Sequence, residues 1–140
     1  MPQTLKHNNA GRVSRHVHEV SVMASIVDAV LEELKRHDVE SVEEVHMVVG
    51  EITFLGRDQL EFAYEVVTRG TILEGSRLVI SEEKVEVRCS SCGYVGGVDY
   101  VSGGGRDHLI PNLTCPRCGG GVEVTKGKSC AVSSLKVVER

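Results

Sequence analysis

Val87-Arg88-Cys89-Ser90-Ser91-Cys92-Gly93 and, with 22 residues between Cys92 and Cys115, Cys115-Pro116-Arg117-Cys118-Gly119 decide how this chain is organised. Each CxxC presents two thiolates from one tight turn, and two such knuckles complete a tetrahedral four-thiolate site. Four thiolates leave a zinc ion no open position, so the expected role of Cys89, Cys92, Cys115 and Cys118 is structural. Gly93 and Gly119 follow the knuckles because the chain must turn through positive φ and aim amides at sulfur. Two disulfides are the rival reading for a secreted chain, but no signal peptide precedes them and Cys130 would be left over. A redox CxxC belongs at a strand-to-helix turn, whereas these pairs sit in glycine-rich, strand-flanked sequence. Cys130 falls in an alternating pattern and reads as a small buried apolar residue.

Ten of the 15 glycines lie between residues 93 and 127, which marks the knuckles and their turns as a separate lobe. Outside it, Val22, Ile26, Ala29, Val30 and Leu34 recur at helical spacing and predict a helix from Ser21, as N-cap, to about His37. Val45, Met47 and Val49 alternate with Glu44, His46 and Val48 in a strand over 42–52. Asp58 and Glu61 have capping-box spacing before a second helix with Leu60, Ala63, Tyr64 and Val67 on its apolar stripe and Gly70 at its C-terminal cap. Residues 77–88 form a long strand with a bend near Glu83. Residues 129–138 return as a last strand beside the first sheet, so the lobe is inserted between two adjacent strands. The expected fold is α+β, two helices on a small mixed sheet with an inserted zinc-ribbon lobe. Its expected domains are 17–86 with 127–140, and 87–126.

With 140 residues, of which 41% are hydrophobic, the chain can bury one modest core, and a lobe outside it needs a metal staple. A net charge of -4 and a pI near 5.9 argue against a polyanion as main partner. Aromatic residues make up 4% and tryptophan is absent, which removes the usual base-stacking platform. No apolar run approaches the roughly 20 residues of a membrane span. The expectation is a cytoplasmic protein. Residues 1–16 carry Lys6, Arg12 and Arg15 with no acid and little to bury, and read as a disordered tail.

Directly before the first predicted helix stand Val17-His18-Glu19-Val20-Ser21. An imidazole, a carboxylate and neighbouring backbone amides suit a borderline transition metal such as nickel in square-planar or tetragonal geometry. On the sequence reading His18 and Glu19 lie just outside the helix, exposed, with free amides. Together with Val48-Val49-Gly50-Glu51 and the paired CxxC motifs, Val17-His18-Glu19-Val20-Ser21-Val22-Met23 resembles the HypA/HybF family of hydrogenase nickel-incorporation proteins from residue 17 onward. The resemblance implies a two-lobed metallochaperone without catalytic turnover that holds structural zinc and carries Ni(II) as transient cargo. It passes nickel to the [NiFe]-hydrogenase large subunit with a HypB-type GTPase. It further implies His18 as principal nickel ligand, Glu19 as second ligand or docking determinant, and Val17 at the position of the family's initiator methionine. If Val17 corresponds to a GTG start, residues 1–16 are a start-site artefact. If they are native, no α-amine is available there. His16 and His18, with His7, then form a looser site with Glu19. His108 is expected at the surface, with a transit-ligand role as its alternative. The other function classes are a zinc-ribbon nucleic-acid adaptor and a zinc enzyme, which would need an open metal position. Relatives are also linked to urease. Both a monomer and a homodimer, domain-swapped through the ribbon, are compatible with the chain.

Overall fold

The computed structural model describes residues 15–102 and 109–140, with the side chains of 15–18 excepted. The chain order is α1 (Arg15–Leu34), β1 (Val39–Gly50), a 3-10 turn (Glu51–Thr53), α2 (Arg57–Val67), β2 (Arg77–Glu83), β3 (Glu86–Cys89), β4 (Val95–Gly96), β5 (Tyr100–Ser102), β6 (Leu109–Pro111), β7 (Val122–Lys126) and β8 (Cys130–Glu139). Residue contacts divide it into two units, Met1–Met47 with Leu55–Ile80 and Ala131–Arg140, and Val48–Phe54 with Ser81–Cys130. The boundary passes through β1, β2 and β8.

In the first unit α1 and α2 pack together, and the sheet order is β2-β1-β8. The core takes Met23, Val27, Val30 and Leu34 from α1, Val39, Val42, Val45 and Met47 from β1, and Leu60, Ala63 and Tyr64 from α2. The alternation of β1 is therefore as expected. The stripe of α1 is not: it runs 19-23-27-30-34, one residue round from the predicted 22-26-29-30-34, and Ala29 is exposed. The helix also begins six residues earlier than expected, so Ser21 is interior and caps nothing. Arg15 and His16, expected in the tail, are helical; the remainder of that tail, with His7, lies outside the described residues, as does His108.

Asp58 does not cap α2. The helix starts at Arg57 with Gly56 as N-cap and no side-chain cap, which leaves Asp58 inside the first turn where a carboxylate is still favoured by the helix dipole. Thr68 is the C-cap, and Gly70 lies two residues on at φ 79. The last strand joins the sheet as expected, but the two strands on either side of the insertion are not neighbours, because β1 lies between β2 and β8.

The second unit contains an antiparallel sheet β4-β3-β7 and a two-stranded sheet of β5 and β6. The long strand of the sequence reading is two strands, broken at Lys84-Val85, with a register shift between Glu86 and Val87. The break is held by Glu51. Its Oε1 accepts from the Val85 amide at 2.9 Å and from the Tyr100 hydroxyl at 2.8 Å, while Lys84 lies 3.6 Å from Oε2. Burial, then this carboxylate contact, raises the Tyr100 hydroxyl above its ordinary value. Beside it two glycine backbones meet. A Cβ on Gly50 would stand 2.4 Å from the Gly127 carbonyl carbon, and Gly127 itself is at φ 91. Only glycine permits that approach.

Candidate metal centres

The two knuckles are built alike. In each, the first cysteine's carbonyl accepts from the glycine four residues on, Gly93 to Cys89 at 3.0 Å and Gly119 to Cys115 at 2.8 Å. Its amide donates to the carbonyl one residue further, Tyr94 at 2.9 Å and Gly120 at 2.9 Å. Those glycines have φ 81 and φ 78, so the sequence reading of their role holds. Arg117 and Cys118 amides point at Cys115 Sγ and the Gly120 amide at Cys118 Sγ, each at 3.4 Å. β3 delivers Cys89 and an isolated bridge between Thr114 and Gly121 closes the second loop.

All four sulfurs lie within 4.8 Å of one another, with Cys89 and Cys118 3.6 Å apart and Cys92 and Cys115 likewise 3.6 Å apart. Four sulfurs at about 2.3 Å from one zinc ion have edges of about 3.8 Å, whereas a disulfide needs about 2.05 Å. The donor set thus fits a tetrahedral ion, and all five cysteines from Cys89 onward are free thiols. Cys89 and Cys115 are buried, at 1% and 2% exposure, while Cys118 is open to solvent. The Cys92 and Ser91 amides overcome burial and lower the Cys89 thiol to about 6. Cys115 is also lowered: burial opposes this, but the Cys118 and Arg117 amides win. Cys118 has the Gly120 amide in its favour, yet the neighbouring thiols and burial push it up to about 11. A site that already favours thiolates, but cannot hold four of them without a counter-charge, is suited to a dication.

Cys130 stands apart. It is half-buried rather than buried, and burial raises its thiol to about 11.

The other candidate end of the chain differs from its sequence reading. Val17, His18 and Glu19 are within α1 rather than before it, at the helix end whose leading N–H groups have no intrahelical acceptor. Glu19 is not exposed. It is 1% exposed on the core stripe, and its Oε2 accepts from the Gly56 amide at 2.8 Å. Its polarity hid it from a search for apolar periodicity, although spacing 19-23-27-30-34 contained the signal.

Among the described residues no helix is long and apolar enough to cross a membrane. Residues 17–137 match the family model described as hydrogenase/urease nickel incorporation, metallochaperone, HypA. The chain is 36% identical to the hydrogenase maturation factor HypA of Methanothermobacter thermautotrophicus, covering 89% of this chain and 99% of that protein. It is 32% identical to that of Pyrococcus furiosus over 86% and 96%. Its fold resembles the solution structure of a HypA protein, with TM-score 0.65, 24% identity and 88% and 98% coverage. It likewise resembles that of the Ni metallochaperone HypA from Helicobacter pylori, with TM-score 0.63, 22% identity and 87% and 98% coverage. A thiolate quartet preset for a metal, two helices on small sheets and a family match over most of the length place this chain in the HypA family of nickel metallochaperones for hydrogenase maturation.

Proposed function

We propose that the chain carries one nickel ion at the start of α1, with the His18 imidazole as principal ligand, and keeps a structural zinc ion on Cys89, Cys92, Cys115 and Cys118. The quartet carries the zinc assignment: four soft, anionic donors at tetrahedral spacing suit zinc and leave no position from which to hand over cargo. Cargo therefore needs a second, incomplete donor set, and the family's His-Glu pair at 18–19 is the candidate. Backbone nitrogen joins imidazole in nickel chelation only after the amide proton is lost, and the leading N–H groups of a helix have no carbonyl partner to give up first. Capture through amides at Val17 and His18 therefore draws on the N-terminal turn of α1, which rearranges around the metal. Delivery to the [NiFe]-hydrogenase large subunit with a HypB-type GTPase in the cytoplasm completes the proposal. The domain reading joins it: 87–126 as zinc lobe, and 17–86 with 127–140 as nickel domain.

The test is a nickel titration by calorimetry and visible absorption on two chains, the full sequence and one beginning at position 17 with V17M, with zinc quantified in both. One nickel per shortened chain with a square-planar band, and weaker uptake by the full chain, supports an N-terminal chelate. Equal binding assigns the site to side chains. No binding in either overturns the nickel assignment.

A further inference from the structure

Glu19 occupies a position where leucine would serve the core better. The stripe 19-23-27-30-34 is otherwise apolar, and Glu19 is 1% exposed. One oxygen accepts from Gly56, and the other, Oε1, has no partner among the described residues. An unpaired buried oxygen costs about 1–3 kcal/mol, so stability alone does not account for a carboxylate here.

What Oε2 touches gives the reason. Gly56 is the N-cap of α2, and α2 has no side-chain cap of its own. In a capping box the residue three places into a helix reaches back to the N-cap amide; here a carboxylate from another helix does that work. Its negative charge also faces the positive end of the α2 dipole. A peptide bond away is His18.

We infer that Glu19 is the positioning residue for nickel capture: its carboxylate caps α2 in trans through Gly56 and thereby fixes the chain end of the nickel-binding turn, without ligating nickel itself. This rests on the nickel assignment proposed above. The turn before Glu19 opens to bind the metal while Glu19 stays in place. The ligands at Val17 and His18 then close on nickel from an anchored end and lose less conformational freedom on binding.

Four variants of the full chain test it. E19Q keeps an acceptor oxygen for Gly56. G56P removes the donor and sets its ring Cδ where the amide hydrogen pointed, against Glu19 Oε2, so it drives the carboxylate off the α2 cap without changing residue 19; Gly56 has φ -81, within reach of proline. G56A keeps the donor and adds a Cβ whose near contact is the end of the flexible Gln59 side chain, and so controls for bulk. E19A removes the carboxylate. Nickel affinity by calorimetry should fall about tenfold in G56P and E19A, the low end expected for losing a hydrogen bond to a charged group. It should stay within about threefold of the parent in E19Q and G56A. The nickel absorption band should be the same in all four. A band shifted in E19Q makes the carboxylate a ligand and overturns the inference, as does parental affinity in G56P. Hydrogen exchange at the Gly56 amide of the nickel-free chain separates this from the nickel reading. It should be slow in the parent and E19Q and fast in E19A; fast exchange in the parent overturns the cap whatever nickel does. A parent that takes up no nickel but protects Gly56 overturns the positioning role together with the nickel assignment and leaves the cap standing.

Discussion

The knuckles and, on our proposal, the start of α1 are the two places where this chain meets a metal, and they are built on opposite plans. At the knuckles the donors are side chains, complete in number and gathered by turns that need only glycine and four cysteines. At the start of α1 the donor set is short in side chains, and the backbone nitrogens that would complete it belong to the end of a helix. The contrast teaches that permanence follows from closing the coordination shell with side chains, whereas exchange needs a shell completed by something the protein can give back.

The sharpest way to break the comparison is at Cys89, buried at 1%. C89S should take zinc from one per chain to none and weaken, without abolishing, protection of the β3 and β7 amides, because metal binding adds its free energy to the folding of a small lobe. If zinc is retained at parental affinity, the quartet is not the site. G50A should come next: with Gly127 backbone 2.4 Å from the new Cβ, it should cost more than about 2 kcal/mol in urea midpoint, set by backbone that cannot give way. Parental stability would show that the crossing can shift.

A pH series on the zinc-free chain under reductant sharpens the electrostatic half. The Cys89 thiol falls from 9.0 to about 6 on folding, so its contribution is present above 9.0 and is lost as pH falls through about 6. Cys118 rises from 9.0 to about 11, so its contribution is present below 9.0 and is lost as pH rises through about 11. Denaturant midpoints should therefore peak near pH 9, and a flat profile would deny the preset. The smallest effect belongs to the exposed pair of Arg88 with Glu123, 2.8 Å apart and 61% and 64% exposed. R88A should change stability by less than about 1 kcal/mol. It should leave no salt-dependent nucleic-acid affinity to lose; such a loss would revive the adaptor reading.

The two sites also differ in how far the sequence revealed them. Four cysteines at fixed spacing with glycine after each pair specify their own local geometry, so the knuckles were legible residue by residue. The α1 end was not. A search for apolar spacing passes over Glu19, shifts the stripe to Val22 and Ile26, and starts the helix at Ser21, whereas the fold buries a carboxylate because a partner 37 residues away offers an amide. Asp58 failed as a cap for the same reason: its local signal was sound, but the cap is supplied from another helix. β1 was read correctly because alternation is local, while the break at Lys84-Val85 is fixed by Glu51, far off in sequence.

The place of β1 between β2 and β8 has a consequence for how the molecule is made. Cys130 opens the last strand about 80 residues beyond the end of β1, and on a ribosome it emerges after everything it pairs with. Until then one side of β1 is an unpaired edge, a template for other chains. A metal clasped by the knuckles shortens the loop that must close before β8 can pair. Zinc supply during synthesis would then govern how long that edge stays open, and hence how much newborn chain is lost to aggregation.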